Sequence, residues 1–188
     1  MYIETERLIL RRWCKNDAKP FAEINSHSDV MAMLRRGTMS VQEAYENIQK
    51  FENHFDEYGF WFLAVEKKND GSLIGLCGLR KVLWTDHPLS PCTEIAWRQA
   101  RESWGHGYMT EAAIASLGDG FQRAKINKIF SWTAQVNMRS QQLMRRAGMH
   151  RAAELDFDHP QLPPEHPLSR HLVYVISAPQ FAVYSAKK

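Results

Sequence analysis

The chain contains no apolar run approaching the roughly 18 residues that a membrane helix needs. Cys-x-x-Cys, Gly-Lys-Ser/Thr and low-complexity repeats are also missing. The first absence argues against a helical membrane span, and the lack of a Gly-Lys-Ser/Thr step excludes a Walker-type nucleotide loop. Only three cysteines occur, Cys14, Cys77 and Cys92. Their odd number and wide spacing encode neither a disulfide framework nor a metal knuckle, and they read as reduced, partly buried thiols. A dominant charge is lacking as well: 24 Lys and Arg against 21 Asp and Glu leave a formal net charge of +3. The pairs Arg11-Arg12, Arg35-Arg36 and Arg145-Arg146 are scattered, so nothing prompts nucleic acid as a partner, although a mild basic bias also suits a polyphosphate ligand. The acidic opening Met1 to Glu6 lacks the basic and apolar regions of a secretory signal, which makes the cytosol the expected compartment.

What is present describes one soluble globular domain over residues 1–188, with 44% hydrophobic and 24% charged residues. Thr5 to Trp13 alternates as a first strand, with Leu8 and Leu10 on one face. Asp17 is placed to open a short helix to Ile24. Ser40 with Glu43 forms a capping box for a longer helix to about Tyr58, whose stripe is Ala44, Ile48, Phe51 and Phe55. Two apolar runs, 60–65 and 73–79, join across Asn69-Asp70-Gly71 as a hairpin. Further strands are expected at 94–98, 128–135, 151–157 and 172–176, and a helix at 140–147 stopped by Gly148. Hairpin strands first and strand–helix units later predict a mixed α/β (α+β) architecture around one central sheet.

The most informative segment is Trp104-Gly105-His106-Gly107-Tyr108-Met109-Thr110-Glu111-Ala112, between an expected strand and a helix carrying Ile114, Leu117 and Phe121 at helical spacing. Two glycines one residue apart let backbone amides converge on a ligand, and the helix start adds partial positive charge. A dinucleotide fingerprint would need a third glycine where Thr110 stands. Without further support the segment would be a tight connection and no more.

Further support comes from Glu4-Thr5-Glu6-Arg7-Leu8-Ile9-Leu10-Arg11, from Asn137-Met138-Arg139-Ser140 and from Gly148-Met149, in order with the glycine turn. With these motifs nearly the whole chain resembles the GNAT superfamily of acetyl-CoA-dependent N-acetyltransferases, above all its Rim-like branch of ribosomal-protein N-terminal acetyltransferases. The resemblance implies a mostly antiparallel twisted sheet of about seven strands, with the fourth (94–98) and fifth (128–134) splayed around the pantetheine arm of acetyl-CoA. It implies cofactor contacts from the backbone of Trp97 and Arg98, from Trp104, Gly105, His106, Gly107, Tyr108, Met109 and Thr110 around the pyrophosphate, and from Asn137 and Ser140. Asn137 is equally the N-cap of its own helix.

Acetyl transfer to an amine requires a neutral amine, a stabilised oxyanion and a protonated leaving thiolate. Glu94 is the candidate base, against the alternative of a strand glutamate without chemistry. Many family members carry a tyrosine acid seven residues after the asparagine, where this chain has Met144, so the resemblance passes the acid role to Ser140. Glu102 stands where relatives carry Gln or Arg, and it is expected to point away from the phosphates. His159, His166 and His171 fit no metal-ligand spacing, so no metal is expected. Cys77 and Cys92 have no activating neighbours in the sequence.

The expected partners are therefore acetyl-CoA and an amine acceptor, a protein N-terminus or a small molecule; a homodimer is compatible with the chain. Acceptor choice is assigned to the loops 35–39, 85–91 and 159–167. The competing readings are a catalytically silent acyl-CoA-binding module and, behind it, a basic RNA-associated domain.

Overall fold

A computed structural model describes residues 2–34 and 37–187. Arg35 and Arg36, at the start of the first expected acceptor loop, lie outside the described residues. One nine-stranded sheet organises the molecule. Its strands are β1 (Tyr2–Glu4), β2 (Leu8–Arg11), β3 (Phe62–Lys67), β4 (Leu73–Val82), β5 (Cys92–Gln99), β6 (Lys128–Ala134), β7 (His150–Arg151), β8 (Phe157–Asp158) and β9 (Arg170–Ser177). They run in the order β1-β2-β3-β4-β5-β6-β9-β7, with β8 also on β9. Every pair is antiparallel except β5 with β6.

The helices α1 (Ala18–Ser26), α2 (Ser28–Met31), α3 (Val41–Tyr58), α4 (Tyr108–Gln122), α5 (Met138–Arg146) and α6 (Ala178–Ser185) divide between the two faces. Strand alternation decides which side chains each face receives. Leu63, Val65, Cys77, Leu79 and Ile95 pack with Met109, Ala112 and Leu117 of α4, Met144 of α5 and Phe181 of α6. Their neighbours Phe62, Ala64 and Leu76 pack with Phe21 of α1 and with Ala44 and Ile48 of α3. The stripe on α3 is split: Phe51 joins Ala44 and Ile48, whereas Phe55 reaches the other cluster.

The hairpin around Asn69-Asp70-Gly71 and the capping box of Ser40 with Glu43 form as the sequence indicates. Two expectations change and one helix is added. The first strand is a hairpin of its own, because Thr5 turns the chain: its amide donates to the Leu8 carbonyl and its hydroxyl accepts from the Leu8 amide. The strand expected over 151–157 shrinks to the two-residue pieces β7 and β8, separated by a helical turn at Ala153–Leu155. These changes raise the strand number above the expected seven. Finally, α6 follows β9 directly, opened by a capping box of Ser177 with Gln180 and by a proline in its first turn.

Candidate active site

β5 is hydrogen-bonded to β4 along its length, from Val82↔Cys92 to Gly75↔Gln99, but meets β6 at the single register pair Glu94↔Phe130. Just past that pair the Ser131 hydroxyl donates to the Ile95 carbonyl at 2.9 Å. Beyond it the two strands part, as expected for the segments 94–98 and 128–134. Alternation then decides which peptide groups line the gap. Ile95 and Gln99 turn towards it, since the Gln99 carbonyl accepts the Trp104 indole N–H at 3.0 Å. Trp97, midway between them, presents its own N–H and C=O to the gap. Arg98 faces the other way, its carbonyl against Gly75 of β4. Of the pair Trp97 and Arg98, then, only Trp97 offers its backbone to the slot; the Arg98 guanidinium reaches the Asn25 side chain on α1.

At the open end the chain makes a helical turn at Arg101–Ser103 and then passes Gly105 and Gly107, with φ of 86° and 77°, into α4. A positive φ at both positions turns the chain without a Cβ penalty. The Trp104 amide is used by the Arg101 carbonyl at 3.2 Å. By contrast, none of the six amides from Gly105 to Thr110 donates to another group among the described residues. Six unspent N–H groups at a helix start form a nest for an anion. Gly105, His106 and Gly107 are exposed, Tyr108 and Thr110 half-buried; the Met109 side chain is buried, so that residue offers only its amide. Glu102 is exposed. Arg101 pairs with Asp29 at 3.0 Å. The guanidinium groups of Arg101 and Arg139 lie 4.7 and 4.1 Å from the Trp104 ring centre, so the indole links the segment after β5 to the start of α5 across the mouth of the gap.

Asn137 caps α5: its Oδ1 accepts the Ser140 amide at 3.2 Å while its Nδ2 donates to Thr133 Oγ1 at 3.0 Å. Both ends of the amide are thus occupied by the fold. Ser140, half-buried in the first turn, keeps its hydroxyl outside this capping pattern. Met144 is fully buried among the core side chains.

Glu94 lies at the vertex of the gap, on the α1–α3 face, with 3% of its surface exposed. Arg80 stands opposite on β4 and donates its Nε to Glu94 Oε2. Burial pushes the Glu94 carboxyl above its ordinary value and the Arg80 charge and hydrogen bond pull it back, with burial prevailing. The Arg80 guanidinium is 4.6 Å from the Trp84 ring centre. His87, 6% exposed, packs 4.5 Å from Trp132 and 5.0 Å from Phe157 between ring centres. Its Nδ1 accepts the Leu89 amide at 3.2 Å, which assigns the proton to Nε2, an atom with no partner among the described residues. Burial and the neighbouring Arg80 lower the His87 pKa. Glu94 and Ser140 therefore approach the gap from opposite faces and opposite ends.

Arg80 and His87 were not singled out from the sequence. A lone arginine in the apolar strand β4 was the signal for the first; for the second there was none beyond its place in the loop 85–91. An open cleft of about 670 Å³ is lined by Ala32–Leu34, Val136, Leu162 and His166–Leu168; among the described residues of the three expected acceptor loops it touches 159–167 and neither 35–39 nor 85–91. His166 lines this cleft, whereas the His159 and His171 rings pair at 5.2 Å. Among the described residues no helix is long and apolar enough to cross a membrane.

A family model described as an acetyltransferase (GNAT) domain matches residues 7–150. The chain is 27% identical over 151 residues to the uncharacterised N-acetyltransferase YnaD of Bacillus subtilis (strain 168), covering 80% of this chain and 84% of the relative. Among solved structures, a GNAT-family acetyltransferase from Bacillus anthracis superposes with a TM-score of 0.78 at 24% identity, over 95% of this chain and 99% of the other. RimL, a ribosomal L7/L12 α-N-protein acetyltransferase in complex with coenzyme A, gives a TM-score of 0.76 at 12% identity, over 94% and 98%. Parted strands, a glycine turn of unspent amides and a family match across most of the chain lead to one statement: this protein belongs to the GNAT acetyltransferases.

Proposed function

We propose that the protein is an acetyl-CoA-dependent N-acetyltransferase, a single domain over residues 1–188, that delivers acetyl directly to a primary amine in a ternary complex. The observation that carries this reading is the run of unspent amides from Gly105 to Thr110 beside the gap between β5 and β6. Oriented neutral donors suit a diphosphate, and the Trp97 peptide suits the amides of a pantetheine arm. Acetyl-CoA would supply the activated acyl group; the chain's own residues bind it, orient the amine and move the protons.

Glu94 is the proposed base. Its raised pKa narrows the difference from an ammonium donor, which favours proton transfer from an α-amine, near 8 in the reference state, over a lysine near 10.4. Ser140 is the proposed acid for the leaving thiolate, since Met144 occupies the place of a tyrosine. The likeness to RimL and the N-terminal motif favour a Rim-like enzyme acting on a protein N-terminus in the cytoplasm, with a small-molecule amine as the other acceptor class. The Arg80 pairing of Glu94 favours the rival reading, a silent acyl-CoA-binding module, because it occupies one oxygen of the base.

Calorimetry with coenzyme A followed by a thiol-release assay over a panel of amines separates the readings. The enzyme binds coenzyme A and frees thiol only when an accepted amine is present. A silent module binds without release, and no binding at millimolar coenzyme A removes both.

A further inference from the structure

The hairpin turn between β1 and β2 is fastened to the start of α4, about a hundred residues away in the chain. Thr5 Oγ1 donates to Glu111 Oε1 at 2.6 Å, and the Arg7 amide donates to the same oxygen at 2.8 Å. Arg7 Nε takes Glu111 Oε2 at 2.7 Å. The guanidinium then reaches past this pair: Nη1 donates to the His106 carbonyl at 3.0 Å, and the group lies 4.7 Å from the Tyr108 ring centre. These bonds exceed what a solvent-facing arginine needs for its own placement, because 43% of its side chain stays exposed.

The contact with His106 matters for the amides of the turn. A trans peptide is planar, so its C=O and the next N–H point in opposite directions. Drawing the His106 carbonyl towards Arg7 aims the Gly107 amide the opposite way, among the unspent donors. Gly107 has a φ of 77° and no Cβ to resist other orientations, so this peptide needs an external hold. Only a planar guanidinium bonds a carboxylate through Nε and a carbonyl through Nη1 at once, which a lysine does not reproduce. Arg7 also neutralises Glu111, whose carboxylate would otherwise stand unpaired in the first turns of the helix that faces the anion.

We infer that Arg7 is a positioning residue for the diphosphate of the acyl donor, acting through the His106 carbonyl and buckled in place by Thr5 and Glu111. The inference rests on the acetyltransferase reading above. The test compares acetyl-CoA with S-acetylpantetheine, a truncated donor without a diphosphate. In Arg7→Ala, KM for acetyl-CoA should rise about tenfold with kcat kept, as for loss of a charged hydrogen-bond donor. KM for S-acetylpantetheine should not move, and Arg7→Lys should recover only part of the loss. Equal loss with both donors, or no loss with either, overturns the inference. If Arg7→Ala lacks a cooperative melt, Arg7→Lys carries the same comparison. Wild-type protein that binds no coenzyme A instead removes the functional reading itself.

Discussion

Arg80 and Glu94 face each other across β4 and β5 at the one level where β5 also meets β6, so an ion pair between a buried carboxylate and a half-buried guanidinium marks the point at which the sheet opens. The pair engages Glu94 through Oε2, on the face covered by α1 and α3. A buried carboxylate held by one cation is costly to strip of that cation and well suited to respond to it.

The pH dependence of turnover follows from this pairing. A base must be ionised, so kcat should climb with pH through a midpoint above that of an ordinary glutamate. Arg80→Gln removes the influences that lower the Glu94 pKa, and the midpoint should move further up. A pKa raised in the fold means that the neutral carboxyl favours folding below the unfolded value, and that this contribution fades as pH rises through the folded one. Arg80→Gln should therefore cost little near pH 4 and about 3 kcal/mol near pH 8, measured by urea unfolding at both.

Ser140 contributes its amide, not its hydroxyl, to the cap of α5. Ser140→Ala should keep the wild-type melting temperature while kcat falls at least about a hundredfold, if the hydroxyl protonates the thiolate. Asn137→Ala should act differently, losing about 1 kcal/mol of stability with the cap. Thermal melts beside steady-state assays distinguish the two, and a Ser140→Ala enzyme of normal kcat removes the acid role.

The thiols should divide sharply. Burial pushes Cys77 and Cys92 up to about 12, whereas Cys14 is exposed. An aromatic disulfide reagent near pH 8 should titrate one thiol in the native protein and all three after unfolding. Catalysis should survive both the modification of Cys14 and the change Cys92→Ala; loss of activity in Cys92→Ala would point to a covalent acyl-cysteine step in place of direct transfer.

A Cβ at Gly75 would lie 2.0 Å from the Arg98 carbonyl oxygen. Gly75→Ala must push β4 and β5 apart on the side opposite the gap, and we expect a loss of about 3 kcal/mol in chemical unfolding. Gly105 has nothing within 4 Å of its Cβ position, so Gly105→Ala should lose less stability, chiefly from its φ of 86°.

Much of this architecture was legible because it depends on local signals. Ser40 with Glu43, Asn137 with Gly148 and the Asn69-Asp70-Gly71 turn each act within a few residues, and each forms where the sequence places it. The parting of β5 and β6 was legible only through family resemblance, since no pattern within either strand states where its neighbour leaves it. What escaped is non-local. Thr5 breaks the first strand because Leu8 and Glu111 both claim its hydroxyl, and Glu111 is far away in the chain. Arg98 alternates with Trp97, so only a paired register reveals that its peptide belongs to β4. Helix α6 was overlooked although Ser177 and Gln180 carried a cap signal, because the apolar run of β9 leads straight into it.

The burial of Met144 constrains where a proton donor can stand on α5. Its side chain is sealed among Leu117, Ile129 and Tyr174, with none of its surface in contact with water. A phenol introduced there would have to displace these neighbours and find a partner for its hydroxyl. Met144→Tyr would therefore disturb the core instead of supplying a proton donor beside the sulfur, and assistance to the leaving thiolate has to come from another position.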